Sequence, residues 1–217
     1  GLDSAAVRSR MAGRLRSMGL SDERVLAAVA QVERHRFVDS ALANQAYEDT
    51  SLPIGFGQTI SKPSVVAQML QALLHERVAE RPLVSVLEIG TGCGYQAALL
   101  AQLAPRVVSI ERVGALARKA RDNLDAAGLP DVEVRHGDGR MGAPERGPFD
   151  AIVSAAGGVE LPNAWLEQVA VGGRLVAPGS ELRPGVQELV VVDRHSQGCT
   201  RRVVGDVYFV PLKSGAA

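Results

Sequence analysis

Three glycines spaced by single residues follow an acidic side chain in Val86-Leu87-Glu88-Ile89-Gly90-Thr91-Gly92-Cys93-Gly94-Tyr95. An apolar, β-branched run precedes them and a helix-forming run follows, so they fall where a strand hands over to a helix. Glycine at such a point lets the chain turn tightly and come close to a ligand, and the free N–H groups of the next helix favour a negative group. Glu111 ends the next β-branched run, about 20 residues further on, where a carboxylate can accept hydrogen bonds from both hydroxyls of a ribose. Asp138, in the turn Gly137-Asp138-Gly139-Arg140, is placed to hold the exocyclic amine of an adenine. Together the three features predict a nucleotide-like site.

The glycine spacing discriminates among such sites. A dinucleotide fingerprint puts its third glycine where this chain has Tyr95, which weighs against a nicotinamide cofactor, and no Lys-Ser/Thr pair follows the glycines as a P-loop requires. An acidic residue followed by Gly-x-Gly-x-Gly instead resembles the first motif of the Rossmann-like methyltransferases that bind S-adenosylmethionine.

The elements that must position these residues alternate. Strands are expected over Val84 to Ile89, Val107 to Glu111, Val132 to Arg135, Ala151 to Ser154 and Arg174 to Ala177, the last after the turn Gly172-Gly173. Helices are expected over Tyr95 to Gln102, Ala115 to Ala127 and around Trp165 to Val169, which is βαβ alternation. Gln187 to Asp193 and Val203 to Pro211 read as two further strands around the polar turn Ser196-Gln197-Gly198, closing the sheet with a hairpin.

Upstream, Val7, Met11, Leu15 and Met18 recur at helical spacing, which makes Arg8, Arg10, Arg14 and Arg16 that helix's solvated face. Ser21, followed by Asp22 and Glu23, opens a second helix running to about Gln31. An irregular stretch from Arg34 to Lys62 is too long to be idle connection. It feeds a third helix, for which Ser61 reads as the N-cap with Pro63 in the first turn. The expected fold is α/β: a Rossmann-like class I methyltransferase with a mainly parallel sheet and antiparallel C-terminal strands. The expected organisation is a single domain over 1–217, with a helical N-terminal segment and active-site loop (1–80) before the core (81–217).

Several further segments carry a more specific resemblance. Arg34-His35-Arg36-Phe37-Val38, Ala46-Tyr47-Glu48-Asp49 and Ile54-Gly55-Phe56-Gly57-Gln58-Thr59-Ile60-Ser61-Lys62-Pro63 resemble the signature of the protein-L-isoaspartate O-methyltransferase family. The resemblance continues through Phe149-Asp150-Ala151-Ile152, Gly172-Gly173-Arg174-Leu175-Val176 and Phe209-Val210-Pro211-Leu212, so it spans nearly the whole chain. The Gly-Gln-Thr-Ile-Ser stretch discriminates, because methyltransferases in general share only the later motifs. The resemblance implies methylation of the free α-carboxylate of L-isoaspartyl residues in damaged proteins and peptides, with S-adenosyl-L-homocysteine as the cofactor product and collapse of the ester to a succinimide as the start of repair. It implies Ser61 as the active-site residue, and cofactor contacts from Gln58, Thr59, Ile60, Ser61 and Glu88. Further contacts are implied for Gly90, Gly92, Gly94, Glu111, Arg112, Asp138 and Gly139.

That chemistry needs little from the protein beyond placement. A carboxylate of unperturbed pKa about 4 is ionised at neutral pH, and a sulfonium methyl is already activated, so no general base is required. In-line positioning and exclusion of water remain. A hydroxyl such as Ser61 can donate to the acceptor carboxylate and fix which oxygen faces the methyl group. Cys93, between two glycines, is explained by space alone, His136 reads as a surface or edge-strand histidine, and Trp165 as core packing. Two other readings stay open: an enzyme that methylates ordinary aspartates of one dedicated biosynthetic peptide, and a cofactor-binding interaction protein without catalysis.

Composition narrows the setting. In 217 residues Lys+Arg and Asp+Glu both total 24, so no overall field draws the chain to nucleic acid or an anionic membrane. A hydrophobic content of 46% suits a sizeable core and excludes a disordered chain. Two cysteines make no disulfide framework and point to a reducing, cytoplasmic setting; four histidines show no metal-ligand spacing. No apolar run reaches the roughly 18 residues of a membrane span, and the start lacks the apolar stretch of a signal peptide. A monomer acting on damaged proteins, with no metal, is expected.

Overall fold

A computed structural model describes residues 5–76, 82–158, 160–207, 210–211 and 213–217. Two helices open it, α1 (Ala5–Ser17) and α2 (Glu23–Gln31). Met11 and Leu15 of α1 are buried, whereas Met18, expected on the same face, lies beyond the helix and is exposed. The cap of α2 is Asp22 rather than Ser21: its side chain accepts from the backbone N–H groups of Arg24 and Val25, and Ser21 instead donates its N–H to Gln71. Both are good caps by type, and the carboxylate nearest the first turn wins.

Two 3-10 turns then lead to a small hairpin of β1 (Leu52–Gly55) and β2 (Gln58–Ile60), followed by α3 (Pro63–Leu74). Ser61 is not the cap of α3. Lys62 occupies that position without a side-chain bond, and Asp49 caps from outside, accepting from the Ser64 N–H at 2.9 Å and the Ser64 hydroxyl at 2.7 Å. Ser61 is thereby released from a structural duty.

The alternating region follows as β3 (Ser85–Ile89), α4 (Tyr95–Leu103), β4 (Arg106–Glu111), α5 (Gly114–Ala126), β5 (Glu133–His136) and β6 (Phe149–Ser154). After these come β7 (Ala156–Gly157), α6 (Asn163–Gln168), β8 (Val169–Arg183), β9 (Val186–His195), β10 (Gly198–Val207) and β11 (Val210–Pro211). The main sheet has the order β10-β9-β8-β6-β3-β4-β5. Its five strands from β8 to β5 run parallel, and β9 and β10 are antiparallel. β8 starts before the Gly172-Gly173 turn expected ahead of it, because Gly172 at φ +82° absorbs an irregularity and the ladder resumes at Arg174. The expected closing hairpin forms, but β10 begins five residues before Val203 and ends at Val207. Tyr208 and Phe209 of the expected last strand, and Leu212 of the closing motif, lie outside the described residues.

Parallel strands covered on both faces read as continuous apolar runs, which explains β3, β4 and β6. Val86, Val107, Ala151 and Val153 join the core beneath α1 to α5, while Leu87, Val108, Phe149, Ile152 and Trp165 form a second core on the opposite face. The first core runs without a break from Met11 to Val207, so the N-terminal helices and the sheet share it. Arg174 ties them further: it pairs with Asp193 and donates to the carbonyls of Ala72 and Glu76 at the C-terminal end of α3.

Candidate active site

The order of the sheet reverses at β3, with β4 and β5 on one side and β6 and β8 on the other. In such sheets ligands bind in the crevice beyond the carboxyl ends of the strands. A cavity of about 480 Å³ lies there, within the usual range for small-molecule sites. Each strand end supplies a wall: Gly90 and Gly92 after β3, Glu111 at the end of β4, Gly139 after β5 and Ala155 after β6. The β1–β2 hairpin supplies the opposite wall with Ile54, Gly57, Gln58 and Thr59, and Ser61 follows directly.

Backbone geometry explains the glycines. Gly90 and Gly92 have φ of +89° and +57°, where an L side chain is strained. A Cβ on Gly92 would also meet Ile54 Cδ1 at 3.2 Å, so the N-terminal hairpin closes down on the glycine turn. A Cβ on Gly139 would lie 2.6 Å from Ile89 Cγ2. Glu111 is locked by the same turn, its Oε2 accepting from the Gly92 N–H at 2.8 Å and its Oε1 from the Val113 N–H at 3.0 Å. A carboxylate has about four acceptor sites, so each oxygen keeps capacity for a further donor in the cavity. That donor set suits a vicinal diol. Ser61, half-buried, has no partner for its hydroxyl among the described residues, and its backbone carbonyl accepts from Arg34 at 2.8 Å.

A family model described as protein-L-isoaspartate(D-aspartate) O-methyltransferase matches residues 6–217. The chain belongs to this family. A protein-L-isoaspartate O-methyltransferase of Methylibium petroleiphilum is 57% identical over 217 residues, covering 99% of this chain and 80% of the relative. One of Leptothrix cholodnii is 56% identical, covering 100% and 77%. Among solved structures, a protein-L-isoaspartate O-methyltransferase superposes with a TM-score of 0.82 at 26% identity, over 95% of this chain and 66% of the other. A Plasmodium falciparum structure, described as a protein-L-isoaspartate O-methyltransferase in complex with S-adenosyl-L-homocysteine, gives 0.81 at 24% identity, over 95% and 98%; at that identity it speaks for the fold.

Within this family member, the walls of the cavity bring together Gln58, Thr59, Ser61, Gly90, Gly92, Glu111, Arg112 and Gly139 of the residues expected at the site. Four others do not line it. Ile60 is buried under the hairpin, and Gly94 is the left-handed start of α4, where a Cβ would press on Leu124 of α5 at 3.3 Å. Asp138 caps the turn after β5, accepting from the Arg140 N–H through Oδ1, and its Oδ2 accepts from the Gly215 N–H at 2.8 Å. Glu88 shares the alternation of Val86 and sits wholly buried behind the glycines, accepting from the Ser109 hydroxyl, to which Thr91 is bonded in turn. Burial pushes its carboxyl up to about 8, against the opposing effect of the Ser109 bond and with help from the nearby Glu111 charge. At neutral pH Glu88 is therefore mostly protonated, a neutral prop for the turn rather than a charged contact.

Residues passed over in the sequence complete the site. Arg34 is fully buried, donates from Nε to the Ala46 carbonyl at 2.7 Å, and lies 4.8 Å above the centre of the Tyr95 ring at the first turn of α4. Burial lowers its pKa. Trp165, core as expected, also donates its indole N–H to the Gly139 carbonyl at 2.8 Å and so holds a cavity wall. Ala156, Gly185 and Lys213 line the cavity from the C-terminal half, which no local motif announced. Cys93 is buried and burial raises its thiol pKa, in keeping with a space-filling role. His136 ends the edge strand β5 and is exposed, as expected of it.

Proposed function

We propose that this chain transfers the methyl group of S-adenosylmethionine to the free α-carboxylate of L-isoaspartyl residues in damaged proteins and peptides, with Ser61 as the residue that meets the acceptor. The carrying observation is that Ser61 and Glu111 line one cavity, together with Gly90 and Gly92, whose positive φ disfavours a side chain. The cofactor fits these residues: the spare acceptor sites of Glu111 match a ribose diol, and the positive-φ glycines leave the backbone open to a close ligand. When bound, the cofactor supplies a methyl group already activated by its sulfonium leaving group.

The protein's own residues do the rest. Glu111 orients the diol, and Gly90 and Gly92 bring backbone within contact of the ligand. Ser61 donates its hydroxyl hydrogen to one carboxylate oxygen of the acceptor, leaving the other to attack. The hairpin carrying Gln58 and Thr59 covers the reacting groups and excludes water, which strengthens each of these interactions. No side chain needs to accept a proton in this step. In this reading the chain acts as one domain and as a monomer in the cytoplasm. Its continuous core supports the first of these, and its two unpaired cysteines support the last. No helix of the described residues is long and apolar enough to cross a membrane.

The deciding experiment follows methyl transfer from labelled S-adenosylmethionine to two peptides differing only in one L-isoaspartyl or L-aspartyl residue. Labelling of the isoaspartyl peptide alone is expected. Labelling of the aspartyl peptide would favour the biosynthetic relative, and labelling of neither would overturn the reading.

A further inference from the structure

Two hairpins each contribute a glycine to the cavity's wall: Gly57 from β1–β2 and Gly185 from β8–β9. Each also carries a large apolar side chain out into solvent, Phe56 at 62% exposure and Leu182 at 55%. A single exposed leucine needs no account. Phe56 does, because of the backbone beneath it. Gly55 pairs with Gln58, so Phe56 and Gly57 form a two-residue turn, with φ of +55° and +67°. Positive φ at both positions is the type I′ pattern, which strongly prefers Asn-Gly or Asp-Gly. A phenylalanine in place of that asparagine strains the turn and exposes a ring, so neither folding nor burial accounts for it.

We infer that Phe56 and Leu182 form an apolar rim that holds the stretches of a polypeptide acceptor flanking the reacting residue. This rests on the acceptor proposed above. Phe56 adjoins Gly57 and Leu182 lies three residues before Gly185, so an acceptor that reaches Ser61 and passes out along these two lining glycines meets both side chains. Phe56 precedes Ser61 by five residues, at most about 16 Å of strand at roughly 3.3 Å per residue. An extended acceptor reaches the ring about five residues from its reacting position. The rim therefore engages long, unfolded segments with apolar flanks and is indifferent to very short acceptors. Apolar contact carries no directional code, which suits an enzyme that meets damage in many sequences.

The test uses the full chain and two isoaspartyl peptides, one of three residues and one of eleven with the isoaspartyl central and leucine at both ends. Phe56→Asn restores the favoured turn pair and removes the ring; Leu182→Ser removes the other side of the rim. Each is expected to raise KM for the long peptide, and the double variant to raise it about tenfold, the scale of one lost apolar contact. The short-peptide KM and kcat, and the cofactor KM, should stay within about twofold, and the Tm of Phe56→Asn should be equal or higher. An unchanged long-peptide KM in the double variant overturns the rim. So does an equal rise for the short peptide, which would make Phe56 a prop of the Ser61 hairpin. If the unaltered chain methylates neither peptide, the acceptor reading falls and takes the rim with it; if it methylates both, failure belongs to the rim alone.

Discussion

The Arg34 guanidinium donates to the Ser61 carbonyl oxygen at 2.8 Å across 27 residues of sequence. The same group reaches the Ala46 carbonyl and lies over the Tyr95 ring, so one buried cation joins the acceptor loop to the helix that follows the cofactor-side glycines. Among the described residues no carboxylate pairs with it. Carbonyl dipoles and the ring face provide its solvation, which makes its geometry sensitive to small changes.

Arg34→Lys keeps the charge and cannot span both carbonyls as the guanidinium fork does. A displacement of Ser61 by about 1 Å is expected, with a fall in kcat of roughly a hundredfold. The cofactor Kd should change little, because Glu111 and the glycines are held independently. Steady-state kinetics together with a cofactor titration check this. A proportional loss of cofactor affinity would show Arg34 to be a general support of the fold.

Ser61→Ala removes the hydroxyl proposed above to orient the acceptor carboxylate. Turnover should drop by about ten- to a hundredfold, with cofactor binding kept and Tm unchanged within error, since Ser61 caps no helix. Unchanged turnover in a labelled-methyl assay would assign acceptor positioning to other donors of the cavity wall, the Ser51 and Thr59 hydroxyls among them.

The glycine turn and Glu111 were legible because both depend on local spacing at strand ends, and the βαβ alternation was legible because buried parallel strands leave apolar runs. Ser61 as a helix cap was misread: the letters Ser-Lys-Pro suit a cap, but Asp49, brought near by the fold, supplies the stronger acceptor. Glu88 shows a different limit. An acidic residue before the glycines reads as a ligand contact, and only strand alternation decides that its side chain turns into the core. Arg34 was hidden in a basic, exposed-looking stretch, because its partners are carbonyls, which carry no sequence signature. Gly185 and Lys213 reach the cavity through pairings far along the chain.

Trp165→Phe tests the wall behind Gly139. The ring is largely kept while the Gly139 carbonyl loses the indole donor and keeps only the Gly142 N–H at 3.2 Å. Stability is expected to fall by about 0.5–1.5 kcal/mol, the net worth of one hydrogen bond. In a chain of this size that lowers Tm by roughly 2–4 °C per kcal/mol. Cofactor affinity should weaken with it while the acceptor KM stays level. Denaturation and cofactor titration separate the two effects, and a stable variant with intact affinity would reduce Trp165 to core packing.

Glu88 makes stability depend on pH in a direction opposite to that of most carboxylates. Its folded-state pKa, about 8, lies above the ordinary 4.5, so between these values the folded chain holds a proton that the unfolded chain has released. Stability from this residue is full below about pH 4.5 and is lost as pH rises through 8. Glu88→Gln keeps the shape and the acceptor for Ser109 but cannot ionise. Relative to the unaltered chain, its Tm should gain from pH 5 to about pH 8 and level off above that. Thermal melts at several pH values decide it: a constant difference across that range would mean that Glu88 is ionised in the folded protein and that its burial is compensated by the turn above it.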